Sequence, residues 1–443
     1  MVNGMKTFSK GGVHPAGHKE LSNAIAIRNA EVKGTLIFPM SMHIGAPAEC
    51  LVKVGDEVNE GMLIGKAAGF ISANIYCSVK GVVKEIKDIY LASGMKTKAV
   101  VVETAEDFKP GEVKFEGSDW EKLTPKEIVD KIAAAGIVGL GGATFPVNVK
   151  YSIPPDSKVD ALVINGVECE PYLTADHRLM LEKTEQLFKG MRIIAKAINA
   201  PKIFVGIEAN KPDAIVNMHR LIEQNEIKDI EICELPSTYP KGAERVLVYE
   251  TTGKTMNAGV LPAQLGVILD NVSTVGVMAE YFKTGMPIVR RRVTVDGDAV
   301  AEPKNVFVPI GTRIADLVEF CGGYKKEPRK IIMGGPMMGR ATKSDESPTM
   351  KNTSAVLCFS KDMAEVKEES ACLNCQRCHT ACPLGLMPSI FADAYRDKDV
   401  EKLMKFNVMQ CMECGSCSFT CPARRPLALS NKLSKFMVRE ASK

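Results

Sequence analysis

Between residues 34 and 103, short apolar runs (GTLIFPM, AECLVKVGDEV, GMLIGKAAGF, GVVKEIKDIYL) are broken at intervals by Gly, Pro and Asp. That rhythm predicts a small module made only of β-strands. The pattern then changes. Thr124-Pro125-Lys126-Glu127 offers a capping box with Pro at the first helical position and Gly136 supplies a stop, so a helix is expected between them. From Val159 onward, strand and helix patterns alternate as VDALVIN, one long helical stretch from about Ala175 to Asn199, KIFVGIEA, PDAIVNMHRLIEQN and IEICELP, which predicts an α/β domain. A further helical stretch covers roughly Val272 to Thr284, and VRRRVTVDGDAVAEPKNVFVPIGTRIADLVEFCGG then returns to strands with one helix. Ser344 to Glu369 is mostly polar apart from a short AVLCF run and reads as a linker. The expected units are residues 1–110, 111–286, 287–343, a linker at 344–364, and 365–443.

Length and composition add bounds. A chain of 443 residues with 45% hydrophobic and 25% charged positions is ordinary globular material for about three domains. No run approaches the ~18 apolar residues of a membrane helix and the N-terminus has no apolar signal core, so a soluble chain with thiols in a reducing compartment is expected. A formal charge of +4 is too small to argue for nucleic acid. Arg424 and Arg425 could attract an acidic partner, although plain surface charge explains them as well.

Eight of the 14 cysteines form two copies of one spacing, Cys372-x2-Cys375-x2-Cys378-x3-Cys382-Pro383 and Cys411-x2-Cys414-x2-Cys417-x3-Cys421-Pro422. Three thiolates two residues apart wrap one corner of a cubane, while the Pro sends the fourth away, to the other cluster. One [4Fe-4S] cluster is therefore assigned to Cys372, Cys375, Cys378 and Cys421, and the other to Cys382, Cys411, Cys414 and Cys417. Four-cysteine zinc sites do not ask for this doubled pattern, and a chain this long needs no disulfide framework. Cys50, Cys77, Cys169, Cys233, Cys321 and Cys358 stand at no ligand spacing and are expected mostly as small buried hydrophobes. His379 is expected to form hydrogen bonds or face solvent, not to ligate.

Gly139-Leu140-Gly141-Gly142-Ala143-Thr144-Phe145-Pro146 is a glycine-rich loop, but Thr144 holds the third glycine position and the loop follows a helix, not a strand. Read alone, it suits either a phosphate or a simple tight turn. Together with Lys150, with Asn165-Gly166-Val167-Glu168-Cys169-Glu170-Pro171, Asp176 and Arg178, and with Lys241-Gly242-Ala243-Glu244, it resembles the flavin- and NADH-binding subunit of respiratory complex I over roughly residues 120–290. The resemblance implies FMN bound by Gly139, Gly141, Gly142, Lys150 and Asn165, with Glu168, Glu170 and Glu244 nearer to NADH. The chain departs from that family at Ala243, usually a glutamate, and at Tyr172, usually glycine. Glu168 and Glu170 also read as solvated loop carboxylates and Lys150 as surface charge.

VKVGDEVNEGMLIGK with SVKGVVKEI resembles the biotinyl/lipoyl sandwich barrel. No lysine stands between Lys66 and Lys80 to carry a swinging cofactor, so a structural or docking module is expected. Residues 287–343 resemble a β-grasp (SLBB) module. The whole order is multidomain α/β plus small β modules: sandwich barrel, complex I flavoprotein-like α/β domain, β-grasp module and two-cluster ferredoxin-like α-helical segment. With the opening KTFSKGGVHPAGHKELS, it resembles the RnfC family of the Rnf complex, an ion-translocating ferredoxin:NAD oxidoreductase. The resemblance implies an electron-transfer subunit with FMN and two [4Fe-4S] clusters and NAD(H) as substrate. It also implies a peripheral place on the cytoplasmic side of the inner membrane, docked to a ferredoxin-like RnfB-type subunit and to membrane subunits. The flavin's task follows from electron counting: NADH gives two electrons at once, whereas each cluster takes one. Two alternatives stay open here, a corrinoid reductase of the propanediol-utilisation type and a non-catalytic iron–sulfur scaffold without flavin.

Overall fold

The computed structural model describes residues 11–31, 33–154, 157–257 and 259–442; the Lys6–Lys10 part of the opening resemblance lies outside them. The first strand, β1 (Arg28–Asn29), leaves its own neighbourhood and pairs elsewhere. The all-β module follows as two small sheets. One has the order β2 (Thr35–Pro39), β8 (Lys96–Thr104), β7 (Gly81–Tyr90), β4 (Glu57–Val58), and the other runs β3 (Glu49–Cys50), β5 (Leu63–Lys66), β6 (Ile75–Tyr76). Alternate residues such as Leu36, Phe38, Val100 and Val102 turn inward and are fully buried, as the period of a strand requires.

The helix α1 (Pro125–Ala134) starts on the expected capping box: Glu127 N donates to Thr124 Oγ1 at 3.3 Å and Thr124 N donates to Glu127 Oε2 at 2.7 Å. After the short α2 (Val147–Tyr151) comes a four-stranded parallel sheet in the order β11 (Ile230–Leu235), β10 (Ile203–Glu208), β9 (Ala161–Asn165), β12 (Val267–Asn271). Leu162 and Ile164 of β9 join the core shared with α4 (Thr184–Ile198), α5 (Pro212–Gln224) and α7 (Val272–Thr284). Val163 joins the opposite face under α6 (Glu244–Thr252). The long helix expected from Ala175 to Asn199 is two helices, α3 (Ala175–Glu182) and α4, broken at Lys183. The buried Thr184 hydroxyl donates to Met180 O, an acceptor that an unbroken helix would give to the Thr184 amide. No Gly or Pro marks that break in the sequence.

The next sheet has six strands in the order β1, β14 (Lys304–Pro309), β13 (Arg290–Asp296), β17 (Ala355–Phe359), β15 (Lys330–Met333), β16 (Arg340–Thr342), with α8 (Ile314–Phe320) following β14. This corrects the linker expected at 344–364. The AVLCF run is β17, an inner strand parallel to β13 and buried along its whole length. A strand buried on both faces needs a continuous apolar run, and five residues within polar surroundings are too short to stand out. The polar residues before it are buried as well: Lys351 is 1% exposed and donates from Nζ to Asn74 O at 2.6 Å and Gly136 O at 2.8 Å. The chain ends in helices α9 (Lys361–Ala364), α10 (Arg377–Thr380), α11 (Pro388–Arg396), α12 (Val400–Lys405), α13 (Ser416–Phe419) and α14 (Leu427–Ala441), packed around Phe391, Leu403 and Val408.

Candidate functional site

Strand order decides where a ligand fits. β9 leads to β10 on one side while β12 lies on its other side, so the chain direction reverses between β9 and β12 and a crevice opens at their C-terminal ends. Asn165 and Asn271 close those two strands. Asn165 Nδ2 donates to Gly242 O at 2.9 Å, and its Oδ1 accepts from Val167 N at 3.2 Å. Asn271 Nδ2 donates to Asp176 Oδ2 at 2.8 Å, and Ser273 Oγ donates to Asp176 Oδ1 at 2.5 Å.

The glycine loop lies over this crevice as a closed turn. Gly139 N donates to Phe145 O at 2.9 Å, and a Cβ on Gly141 would sit 3.1 Å from Asn271 Cβ. Gly142 has φ +112, and its side-chain direction is open space. Thr144, in the third glycine position, adopts φ +53, a left-handed backbone that a β-branched residue rarely takes. Tyr172, the other departure, does likewise at φ +69 while its ring stacks on His18. Both side chains therefore occupy backbone states suited to glycine.

Leu140 is held from two sides: its amide donates to Thr274 Oγ1 at 2.9 Å and its carbonyl accepts from Arg291 Nη2 at 2.7 Å. Because a trans peptide carries its N–H opposite its C=O, the Gly141 N–H points away from Arg291. Arg291 is 2% exposed, and its Nε has no hydrogen-bond partner among the described residues. Burial draws its pKa down to about 10, opposed by the Asp176 carboxylate. A buried, under-partnered guanidinium beneath a turn of glycines suits an anion such as a flavin phosphate. The sequence pattern does not mark Arg291, because RRR in a strand reads only as charge.

Lys150 Nζ donates to Leu269 O at 2.7 Å and to the buried Asp270 carboxylate at 2.8 Å, and Tyr151 Oη donates to the same carboxylate at 2.6 Å. With its side chain 25% exposed, Lys150 keeps one of its three N–H donors for a ligand. Glu244 opens α6 at the surface of the crevice. It is exposed, yet desolvation by the surrounding walls is the main influence raising its carboxyl pKa, a combination that belongs to a concave site.

Glu168 and Glu170, expected near the nicotinamide, are otherwise engaged. Glu168 accepts from Asp176 N at 2.7 Å and His177 N at 3.2 Å, capping the first turn of α3. Glu170 accepts from Met337 N and Met338 N, both at 2.9 Å, and so clasps the Gly334–Gly339 turn after β15. A Cβ on Gly335 would collide with that carboxylate at 2.3 Å. The motif Gly334-Gly335-Pro336-Met337-Met338-Gly339, three glycines around a Pro, is the available and unread signal for this clasp.

Each cysteine set surrounds a cavity. Cys382, Cys411, Cys414 and Cys417 line an inner one of about 370 Å³, together with Asn431. Cys372, Cys375, Cys378 and Cys421 line an outer one of about 820 Å³, where Cys375 is exposed and Leu373 is 66% exposed. Among the described residues no three metal-binding side chains converge on a single-ion site. Asn431 Nδ2 approaches Cys411 Sγ at 3.6 Å, and the Glu413 amide donates to the same sulfur at 3.4 Å, contacts that favour a thiolate. Burial pushes the Cys417 thiol up to about 12, so holding it as thiolate needs adjacent positive charge, which iron supplies. Arg425 lines the outer cavity and leans towards Asp393, while Arg424 is exposed. His379 Nδ1 lies 2.9 Å from Leu386 O, a hydrogen-bonding role as expected.

The inner set abuts the α/β domain. Tyr239 Oη donates to Cys414 O at 2.6 Å, and Arg245, one residue after Glu244, donates to Gln410 O at 3.2 Å. Val13, Tyr239, Ala381 and Cys414 form one apolar cluster with Cys169 packed against it.

A glycine-looped parallel α/β domain joined to a pair of four-cysteine cavities defines an iron–sulfur flavoprotein. Segments of the chain match the families described as RnfC barrel sandwich hybrid domain (residues 6–107), Nuo51 FMN-binding domain (132–280), SLBB domain (292–341) and 4Fe-4S dicluster domain (364–423). The chain is 43% identical over 388 residues to the RnfC-type component of the proton-translocating ferredoxin:NAD(+) oxidoreductase complex of Clostridium ljungdahlii, covering 88% of this chain and 84% of that one. It is 40% identical to the corresponding component of the Na(+)-translocating ferredoxin:NAD(+) oxidoreductase complex of Acetobacterium woodii, over 96% of both. An NAD+-reducing [NiFe]-hydrogenase in the H2-reduced state shares the fold at TM-score 0.51 and 17% identity, over 72% of this chain and 62% of that one. The chain belongs to the RnfC family of ion-translocating ferredoxin:NAD(+) oxidoreductase complexes.

Proposed function

We propose that this chain moves electrons between NAD(H) and a ferredoxin-like partner, as a peripheral subunit of an ion-translocating oxidoreductase, through FMN in the β9/β12 crevice and two [4Fe-4S] clusters in the cysteine cavities. The observation that carries this reading is the shared wall between crevice and inner cavity, made by Tyr239, Cys169 and Cys414. FMN, when bound, exchanges electrons in pairs with nicotinamide and singly with clusters.

The chain's own residues orient and exclude water. Gly139, Gly141 and Gly142 let backbone amides approach a phosphate, and Arg291 and the free donor of Lys150 supply positive charge. Asn165 faces the ring system from the end of β9, and Glu244 suits ribose hydroxyls. Glu168 and Glu170 act indirectly, by fixing the loop that carries them. The inner cysteine set receives or gives electrons on the flavin side. The outer set, with Cys375 and Leu373 at the surface, faces the partner. No helix among the described residues is long and apolar enough to cross a membrane, and attachment runs through partner subunits on the cytoplasmic face.

Anaerobic titration of the cofactor-loaded protein with NADH, read by visible absorbance and EPR, tests this. Bleaching of the flavin band followed by a reduced-cluster signal is expected. Clusters that respond only to low-potential ferredoxin, with flavin untouched by NADH, would remove the nicotinamide assignment, and a chain that never binds flavin would leave a wire.

A further inference from the structure

Residues 11–22 form no strand or helix, yet they run along the seam between all the working parts. A Cβ on Gly11, which has φ +87, would lie 2.5 Å from Cys382 O, and Gly12 N donates to Ala381 O at 2.9 Å. Val13 exchanges two backbone hydrogen bonds with Tyr239, each 2.9 Å. Farther along, Tyr172 N donates to Gly17 O at 2.7 Å and His18 stacks on the Tyr172 ring. Lys19 Nζ then donates to three carbonyls of one loop, Glu168 O at 2.9 Å, Glu170 O at 3.0 Å and Leu173 O at 2.5 Å. Ser22 closes the segment on Thr174 Oγ1 at 2.7 Å and on Asp296 of the β-grasp sheet at 3.3 Å.

An ammonium has three N–H donors, and here all three are taken by carbonyls lying within six residues of each other. Burying that cation costs free energy that an apolar side chain would not incur. What the ammonium adds is geometry, because three convergent hydrogen bonds fix a loop that otherwise has no regular structure. The same segment grips the backbone of Ala381 and Cys382 at its other end.

We propose that Lys19 is a positioning residue and that residues 11–22 are a strap setting the span between the flavin-side loop and the inner cysteine set. The strap's role in transfer rests on the electron route proposed above. Its mechanical part does not. A displacement of about 1 Å can cost up to a hundredfold in rate, so slack in the strap slows the step that crosses the seam.

The test uses the full chain, cofactor-loaded, with Lys19→Met and Gly11→Ala. In stopped-flow with NADH, both variants should keep the KM for NADH and the rate of flavin reduction, while flavin-to-cluster transfer falls about tenfold or more. Hydrogen exchange supplies a readout independent of the cofactors: Gly11→Ala, placed at the cysteine end, should speed exchange at the Tyr172 amide about tenfold or more. Native flavin-to-cluster rates in both variants would overturn the proposal, as would unchanged Tyr172 exchange in Gly11→Ala. Loss of flavin reduction in Lys19→Met with Gly11→Ala unaffected would overturn it too, by confining Lys19 to the flavin site. If the wild-type chain binds no flavin, the electron route fails and the exchange result still decides the strap.

Discussion

Replacing Lys351 with Met removes an amine that pins three parts of the molecule at one point: Asn74 of the β module, Gly136 at the end of α1, and the segment leading into β17. Burial alone lowers this lysine to about 7. The unfolded chain holds its proton up to about 10.4, so between about pH 7 and 10.4 the unfolded state binds more protons and stability rises with pH. Below about pH 7 both states are protonated and that gain is absent. From pH 6 to pH 9 the linkage amounts to about 2.5 kcal/mol. Met carries no proton and abolishes this component, while leaving two buried carbonyls without a donor at about 1–3 kcal/mol each. The variant should therefore be destabilised more at pH 9 than at pH 6, by about 2.5 kcal/mol. Urea unfolding of both proteins under anaerobic conditions, followed through Trp120, the only tryptophan, reports the difference at each pH. An equal difference at the two pH values would refute the buried-charge reasoning.

Gly141→Val places a branched side chain against Asn271 and should raise the FMN dissociation constant about tenfold or more, with the EPR signals of the clusters intact. Tyr239→Phe leaves Cys414 O without its donor in a buried seam, a loss of about 1–2 kcal/mol; exchange of the amides at 414–416 should quicken about tenfold, and unchanged protection would show that the bond does not hold the seam. His43 is held down to about 4, chiefly by burial and then by Lys351. Its unfolded value is about 6.5, so its contribution is present above that pH and is lost as pH falls towards 4, by at most about 3 kcal/mol. His43→Gln should flatten that acid limb in a denaturation series.

Local chemistry makes much of the architecture readable. The capping box at Thr124 and Glu127 and the boundaries of the helix from Val272 to Thr284 depend on neighbours a few residues apart, and both appear in the fold. The two cysteine runs encode their own cross-pairing, since the cavities sort the eight thiols into the sets expected from spacing. What stays hidden is long-range. β17 and Lys351 are interior only because β13, β15 and Gly136 close over them, which no window of local polarity reports. Glu168 and Glu170 read as ligand-facing because a carboxylate beside a glycine loop looks available, whereas both are taken by amides 8 and 167 residues away. Arg291 escapes notice for the converse reason, a charge in a strand whose partner loop lies 151 residues earlier.

The pairing of β1 with β14 has a consequence for synthesis. Arg28 and Asn29 take their partners from Val306 and Phe307, and Gly12 takes its partner from Ala381. At about 5–20 residues per second, the first thirty residues emerge on the order of tens of seconds before those partners exist. The β module can fold at once, but its leading arm must wait outside any domain until the iron-binding end has been made. Assembly of this chain therefore finishes where it began, and a fragment lacking either end would be left with an unclosed sheet edge and a loose cysteine loop.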